Sequence, residues 1–203
     1  MDISELTVRL GEYDTSDDKE IPPHEDFAAR RIIIHKNFKD DPELVHDIAV
    51  IQLDTLVSFK SHIIPVCLPE SGVNFQNEEA VVSGWGYTGN SKPYRGKLRM
   101  IRVKVRSNAE CATYMKTHHP IVITENHLCA GSNSSAICIG DSGGPLVVSK
   151  SGRAVLIGLV TGGFEDCEMP QRLAVCANVS THMQWVEATI DRGCPFGGIY
   201  RFR

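Results

Sequence analysis

The sequence predicts an all-β fold, a sandwich or a barrel, closed by one C-terminal helix. Short apolar segments with strand-like alternation recur along the 203 residues, and glycine, proline, asparagine and aspartate separate them. One segment, Ser180–Ile190, instead has apolar residues at helical spacing, namely Met183, Val186 and Ile190. Ser180 is the expected cap of that helix because its hydroxyl can accept a hydrogen bond from a free backbone N–H of the first turn.

Each predicted strand is bounded by turn residues. The first, LTVRLGEY, precedes an acidic loop, Asp14–Glu20. The others follow at fairly even intervals: RRIIIHKNF, HDIAVIQL, EEAVVSGWG, KLRMIRVKV, GPLVVSK, AVLIGLVTGG and LAVCANVS. The sequence has no internal repeat and no low-complexity linker, and the glycine-rich tail GCPFGGIYRFR is expected to be irregular.

Composition excludes several classes of partner. With 42% hydrophobic and 23% charged residues, the chain can form one sizeable core or two packed lobes. A net charge of −4, without a basic block, argues against a nucleic-acid surface. The apolar runs are far shorter than a membrane span, and the start MDISELTVRL lacks the basic and apolar regions of a signal peptide.

The seven cysteines indicate an oxidising compartment. They are widely spaced, with no CxxC pair and no cysteine–histidine spacing that suits zinc, so neither a metal nor a cofactor is expected. This usage fits a secreted, disulfide-bonded domain better than a cytosolic one. Because the number is odd, one thiol is free or pairs with a segment outside this chain.

The stretch ICIGDSGGPLVV predicts a catalytic turn. Three glycines around Ser142 imply a tight backbone turn that holds the hydroxyl outside the packed core. Such a turn can also direct backbone N–H groups at one point, which is what an oxyanion requires.

Six motifs taken together resemble the chymotrypsin-like (trypsin family) serine proteases. They are, in order, HDIAVIQL, IPVCLP, VSGWG, LCAG, CIGDSGGPLVV and VSTHMQWV. The opening VRLGEYDT is similar to the clip-domain branch of arthropod proteases. The resemblance implies two six-stranded Greek-key barrels, the first incomplete, and a C-terminal helix. A single peptidase domain, 1–203, would comprise a first-barrel remnant (about 1–80), a second barrel with the helix (about 81–190) and a tail (191–203).

The resemblance also implies roles for individual residues. Ser142 matches the nucleophile, and the N–H groups of Gly140 and Ser142 match the oxyanion hole. Asp47 matches the carboxylate that orients the catalytic histidine. Asp141 matches the residue that pairs with the new N-terminal ammonium after zymogen cleavage. A secreted endopeptidase acting on proteins or peptides would follow.

The catalytic histidine is the departure from this pattern. The family carries it in a TAAHC-like stretch, upstream of the strand that LTVRL resembles, and this chain has no such stretch. His46 adjoins Asp47, but neighbouring side chains of an extended chain point to opposite faces. His35 matches a common surface histidine of the family. All eight histidines are therefore interpreted as solvated loop residues: His24, His35, His46, His62, His118, His119, His127 and His182.

Two interpretations of the missing histidine remain open. In the first, the chain is an N-terminally truncated form of an ordinary secreted zymogen. In the second, it is a non-catalytic homologue that binds and regulates a protease cascade. The retained Ser142 and the missing signal peptide favour the first interpretation.

The resemblance further implies a disulfide pattern. Cys111 would pair with Cys129, and Cys138 would pair with Cys167. Cys67 matches the cysteine that ties the catalytic domain to an N-terminal pro-segment or clip domain. Two cysteines are left over, and a bridge between them would fasten the tail to the barrel unless the geometry of the two side chains forbids it: Cys176–Cys194.

The residues that match the family's substrate pocket are mostly apolar or small: Ala136, Ile137, Thr161, Gly163 and Ala174. A basic-specific protease has an aspartate where this chain has Ala136. Burying a lysine or arginine side chain without a charged partner costs several kcal/mol, so a small or medium apolar P1 residue is expected. The nearby pair Glu165–Asp166 is interpreted as a solvated loop.

Two further surface features concern calcium binding and glycosylation. The acidic residues Asp14, Asp17, Asp18 and Glu20 fall where some relatives bind calcium, but their spacing fits a calcium loop poorly, and a solvated loop is expected. Of the two N-x-S sequons, the one at Asn133 lies in a loop and is a candidate for glycosylation, whereas Asn178 lies in a predicted strand.

Overall fold

The computed structural model describes residues 2–40, 43–87, 96–118, 121–133, 137–162 and 172–193. In these ranges the strands are β1 (Thr7–Leu10), β2 (Glu25–Ile34), β3 (Ala49–Leu53), β4 (Glu79–Gly84), β5 (Arg99–Arg106), β6 (His127–Gly131), β7 (Pro145–Lys150), β8 (Arg153–Gly162) and β9 (Leu173–Asn178). The α-helices are α1 (Asn108–His118) and α2 (Val179–Gly193), and a 3-10 turn spans Ile3–Glu5. The chain is mostly β, as the strand pattern predicted.

The first lobe is an open, three-stranded antiparallel sheet in the order β1-β2-β3. Its long strand, β2, pairs with β1 through its first half and with β3 through its second half. Phe27 and Ala29 of β2 point inward and are buried, whereas Ile34 at its end is 60% exposed. This lobe therefore has a thin core and two free strand edges.

The second lobe is a closed barrel in the order β4-β5-β6-β9-β8-β7. All its strand pairs are antiparallel, and closure leaves no free edge. Its interior is a single apolar cluster in which Val105, Ala130, Leu146 and Ile157 have no exposed surface. One closed barrel, a partial first lobe and a C-terminal helix confirm the predicted fold class.

Helix α2 begins earlier than the sequence pattern predicted. Its first residue is Val179, and the cap is Asn178, whose side-chain Oδ1 accepts a hydrogen bond from the Ser180 N–H at 3.2 Å. Ser180 is 1% exposed, and its hydroxyl donates to the Val73 carbonyl at 3.0 Å. The prediction of Ser180 as the cap was wrong, because this hydroxyl bonds to a distant loop.

Helix α1 and strand β6 were not among the predicted elements. The Ser107 hydroxyl accepts a hydrogen bond from the Glu110 N–H at 3.1 Å, which caps α1. The spacing of this serine and glutamate is that of a capping box, so the sequence contained a signal for the helix. Only Cys111 and Met115 of α1 are buried, which explains why its apolar pattern is weak. A disulfide from Cys111 to Cys129 joins α1 to β6.

Candidate active site

Ser142 lies on an exposed turn that is anchored to β8. Gly140 and Gly143 flank it with φ angles of +90° and +78°, a region that favours glycine. The Gly143 N–H donates to the Val160 carbonyl at 2.7 Å, and the Val160 N–H donates to the Gly144 carbonyl at 2.9 Å. The turn therefore holds the Ser142 hydroxyl in solvent, as expected from its three glycines.

Asp141 fixes this turn from the side of the barrel. Its Oδ1 accepts a hydrogen bond from the Gly86 N–H, and its Oδ2 accepts one from the Cys138 N–H, each at 3.0 Å. A Cβ atom on either Gly84 or Gly86 would overlap the Asp141 carboxylate. The glycines of the GWG motif thus leave the room that Asp141 occupies.

The two backbone N–H groups expected to form an oxyanion hole are those of Gly140 and Ser142. Among the described residues, the N–H groups of Gly140 and Ser142 donate to no backbone carbonyl. Both residues are exposed. They are therefore available as hydrogen-bond donors to a ligand over the turn.

Asp47 approaches the same end of β8 from the first lobe. It is half-buried just before β3, and its carboxylate lies within hydrogen-bonding reach of the Thr161 side chain, whose hydroxyl also lies 3.4 Å from the Leu159 carbonyl oxygen. Burial raises the pKa of Asp47, the Thr161 hydrogen bond lowers it, and the nearby Asp40 raises it further. Since Thr161 follows Val160, the Asp47 segment and the Ser142 turn contact adjacent residues of one strand.

The histidines are placed differently from the prediction. His46 has a φ angle of +56° and is not extended, and its ring turns to α2, where its Nδ1 lies 3.0 Å from His182 Nε2. His35, His127 and His182 are buried, at 9%, 0% and 2% exposure, so their interpretation as solvated loop residues was wrong. In the part of the chain that the structure describes, no histidine is hydrogen-bonded to Asp47 or Ser142.

The residues that match the substrate pocket fall into three groups. Ile137 and Ala174 are buried in the apolar cluster of the barrel. Thr161 lies beside the Asp47 carboxylate, a neighbour that sequence reasoning did not predict because nothing in the local pattern links two residues so far apart. The remaining positions, Ala136 and Gly163, lie outside the described residues, as do Glu165 and Asp166 of the neighbouring loop.

The cysteines follow the expected pattern only in part. Cys111 and Cys129 are bonded, with Cα atoms 6.0 Å apart, and Cys138 is also disulfide-bonded. Its expected partner, Cys167, lies outside the described residues, as does Cys194. Cys67 is a free, half-buried thiol, and Cys176 is a free, fully buried one. The expected Cys176–Cys194 bridge is therefore wrong, since the side chain of Cys176 points into the barrel core.

One group of side chains in the acidic loop lies close enough to share a cation. Ligand atoms of Glu12, Glu20 and His24 lie within 4.8 Å of one another. These groups are already paired: Glu20 accepts hydrogen bonds from two backbone N–H groups, and Glu12 contacts both Arg9 and His24 at 3.1 Å. Glu20 and the preceding Glu12 thus bind groups at the two ends of this loop, while Asp17 and Asp18 between them are exposed, as expected of a solvated loop.

The two sequons differ in exposure. Asn133 is exposed beside β6. Asn178 is 8% exposed, and its side-chain amide donates to the Glu125 carbonyl at 3.0 Å while its Oδ1 caps α2. A glycan could be attached to Asn133 without disturbing any contact described above, but not to Asn178.

No helix in the described ranges is long and apolar enough to cross a membrane.

Comparison with known proteins identifies the family. The family model described as Trypsin matches residues 2–186. The rat protein "Vitamin K-dependent protein C" is 34% identical over 197 residues, which cover 91% of this chain and 41% of that protein. "Clotting factor G beta subunit" of Tachypleus tridentatus is 31% identical over 194 residues, covering 90% and 60%, and "Serine protease filzig" of Drosophila melanogaster is 30% identical over 191 residues, covering 92% and 11%. The chain thus spans less than two thirds of the length of each of these relatives. With its match over most of its length and its GDSGGP turn, the chain belongs to the trypsin family of chymotrypsin-like serine proteases.

Proposed function

We propose that this domain belongs to a secreted serine endopeptidase in which Ser142 is the nucleophile and Asp47 orients the general base. The observation that carries this proposal is that the Ser142 turn is hydrogen-bonded to Val160 of β8, while the Asp47 carboxylate lies beside the next residue of that strand, Thr161. In this mechanism Ser142 Oγ attacks the peptide carbonyl and its proton passes to an imidazole. The carbonyl oxygen becomes an oxyanion that accepts hydrogen bonds from the N–H groups of Gly140 and Ser142.

The remaining steps follow from the same groups. The imidazolium gives its proton to the leaving amine, and water then hydrolyses the acyl-enzyme with the imidazole again acting as base. Asp47 stabilises the imidazolium and fixes which ring nitrogen carries the proton. In the full protease, Asp141 exchanges its backbone partners for a new N-terminal ammonium after cleavage of the zymogen.

None of the histidines in the described residues is hydrogen-bonded to Asp47 or Ser142, so none of them is placed to act as this general base. The test therefore supplies an imidazole from solution. The chain 1–203 is incubated with a fluorophosphonate probe, with and without added free imidazole as a substitute base. We expect slow labelling alone, faster labelling with imidazole, and none in S142A. D47N should reduce the effect of imidazole less than S142A does, because a diffusing base needs little orientation.

The second candidate function is a non-catalytic homologue that binds and regulates another protease. The observation that favours this second function is that no histidine of the described residues is hydrogen-bonded to Asp47. If S142A and the unsubstituted chain label equally in the presence of imidazole, while both are folded by circular dichroism, the catalytic proposal fails. The binding homologue then becomes the better interpretation.

The substrate class is proposed from the apolar character of Ile137 and Ala174. Peptidyl phosphonates that carry alanine, valine or leucine at P1 should label Ser142 faster, in the presence of imidazole, than those that carry arginine or lysine. Faster labelling by the basic probes would mean that an acidic side chain reaches the P1 group.

The setting of the enzyme is proposed from its cysteines and surface. Two disulfide-bonded pairs, Cys111–Cys129 and the one that includes Cys138, support an oxidising, extracellular compartment. The free Cys67 is available for a bridge to an N-terminal pro-segment or clip domain. Asn133 is the proposed site of glycosylation, since it is exposed in an N-x-S sequon.

A further inference from the structure

Four histidines meet where the first lobe contacts α2. His35 follows β2, His46 immediately precedes Asp47, His127 is the first residue of β6, and His182 is on the first turn of α2. The rings of His35 and His46 are stacked with centroids 4.5 Å apart, and the edge of His182 faces both. We call His35, His46, His127 and His182 the histidine cluster.

The hydrogen bonds assign the protons of His182 and His46. His182 Nδ1 lies 2.6 Å from the Asn178 carbonyl oxygen, and a carbonyl can only accept, so this nitrogen carries the proton. In the neutral ring, His182 Nε2 is then an acceptor. His46 Nδ1, at 3.0 Å, must donate to it. If His182 Nε2 carried a proton as well, both nitrogens of this pair would be donors, and the hydrogen bond between His46 and His182 would be lost.

His127 and His35 also use a lone pair. His127 Nε2 donates to the Leu44 carbonyl at 3.1 Å, so its Nδ1 is free to accept the Thr124 N–H, also at 3.1 Å. His35 Nδ1 accepts the Asn37 N–H at 3.3 Å. Three of the four rings therefore accept a hydrogen bond through a nitrogen that an added proton would occupy.

The surroundings of the cluster also disfavour positive charge. Burial lowers the pKa of His35, His46 and His127. The charged forms of neighbouring cluster members lower it further for all three, as does Lys36 for His35, while the backbone carbonyls of Leu44 and Glu43 partly offset burial for His127. No carboxylate of the described residues is among the groups that shift these pKa values. Asp47, the acid next to His46, contacts Thr161 instead.

The cluster holds the segment that carries Asp47. Leu44 and His46 have φ angles of +48° and +56°, which non-glycine residues keep only when their surroundings hold them. His127 binds the Leu44 carbonyl, and His182 and His35 hold the His46 ring. The residue that follows, Asp47, is positioned by these contacts together with Thr161.

We propose that the histidine cluster is a pH-sensitive clamp on the Asp47 segment, which holds Asp47 at β8 when the rings are neutral and releases it in a mildly acidic medium. The four histidines are positioning residues, and only the importance of Asp47 itself rests on the proposed function. A histidine with a lowered pKa takes up its proton more readily in the released chain. The clamp is therefore fully formed above about pH 6.5 and weakens as the pH falls.

Hydrogen exchange of the chain 1–203 at pH 7.5 and pH 5.5 tests the clamp. After correction for intrinsic rates, protection of residues 44–48 should fall at least about tenfold at pH 5.5, whereas that of β7 and β8 should not change. The matched variants are H127Q, whose amide keeps one donor and one acceptor but does not titrate, and H118Q, at an exposed histidine on α1. H127Q should take up about one proton fewer on unfolding near pH 6, and H118Q, which lies outside the cluster, should lose protection at residues 44–48 at pH 5.5 as the unsubstituted chain does.

Either of two results would overturn the clamp: equal protection of residues 44–48 at both pH values, or the same proton uptake on unfolding in H127Q as in the unsubstituted chain. If H127Q folds poorly, histidine-ring NMR of the unsubstituted chain decides the question. The rings of His35, His46 and His127 should remain neutral until protection of residues 44–48 is lost. Protonation of these three rings near pH 6.5 with that protection intact would refute the proposal. Failure of the imidazole-rescue experiment would leave this result unaffected.

Discussion

Asp47 and Thr161 bring together one side chain from each lobe, and the Thr161 hydroxyl lies within hydrogen-bonding reach of the Asp47 carboxylate. Asp47 belongs to a segment of the first lobe, and Thr161 is near the end of β8 in the barrel. Burial makes the charged form of this carboxylate less favourable, and the hydroxyl of Thr161 compensates in part. The ionisation of Asp47 is therefore a direct measure of this contact.

We expect T161V to raise the pKa of Asp47 further, because valine removes the hydrogen-bond donor and leaves the burial. T161S keeps a hydroxyl and should leave the pKa near that of the unsubstituted chain. A 13C titration of the Asp47 carboxyl carbon measures this.

The same pKa shift predicts how stability depends on pH. Because the folded-state pKa already exceeds 3.8, Asp47 favours folding most at low pH, and this contribution is lost as pH rises through the folded pKa. T161V should extend that loss to higher pH, and equal pKa values in T161V and T161S would contradict this account.

The two free cysteines should differ in reactivity. Cys67 is half-buried near the surface, whereas Cys176 has no exposed area and its burial raises the pKa of the thiol to about 12. Since the thiolate is the reactive form, iodoacetamide at pH 8 should modify Cys67 and not Cys176 in the native protein. Peptide mapping by mass spectrometry provides the measurement, with urea-unfolded protein as the positive control for Cys176. Native modification of Cys176 at the rate of Cys67 would mean that the barrel core is open.

At the scale of elements, both helices depend on side chains that lie just outside them. Asn178 caps α2 and also binds the Glu125 carbonyl, so this residue serves the helix and the neighbouring loop at once. Ser107 caps α1 at its first turn. Because α1 buries only Cys111 and Met115, its stability depends on this cap and on the disulfide to β6 more than on an apolar face.

Replacing the α1 cap should have a measurable cost. We expect S107A to lower the free energy of unfolding by about 1 kcal/mol, because the Glu110 N–H loses its acceptor. S107T, which keeps the hydroxyl, should retain most of this stability. Urea unfolding followed by circular dichroism measures both. Equal stability of S107A and the unsubstituted chain would show that solvent or another group replaces the cap without loss.

At the scale of the whole molecule, the two lobes differ in how completely they bury their apolar residues. Ile34 and Ile51 of the first lobe are 60% and 43% exposed, whereas Leu146 and Ile157 of the barrel have no exposed surface. Among the described residues, the open sheet ends at β1 on one side and at β3 on the other, each with one edge that pairs with no further strand, whereas the barrel is closed. The barrel is therefore the more stable unit of the chain.

Hydrogen exchange at neutral pH should resolve this difference. Outside the clamped residues 44–48, protection is expected to be weak across Leu6–Leu53, and it is expected to be strong in the described residues of Leu146–Val179, because local opening costs less where few apolar side chains are buried. Mass spectrometry of peptic fragments gives both values in one experiment, so each lobe is the reference for the other. Uniformly high protection in a soluble monomer would mean that the first lobe is stable although its apolar side chains and strand edges are partly exposed.

The sequence by itself determined the features that depend on local pattern. Period-two alternation and turn residues predicted eight of the strand positions, and glycines around Ser142 predicted an exposed, tight turn. The pairing of Cys111 with Cys129, implied by resemblance, agrees with the bond in the structure. These properties follow from residue type and short spacing, because strand period and glycine conformation act over a few residues.

Only the tertiary structure decided which polar side chains are buried. His127 and His182 are polar and were expected in solvent, but distant segments supply the Leu44 carbonyl and the His46 ring that satisfy them. The same holds for Asp47, whose partner Thr161 is brought to it by the meeting of the two lobes. The physical reason is that a polar group can be buried only where another element provides its hydrogen bond, and local sequence does not encode that partner.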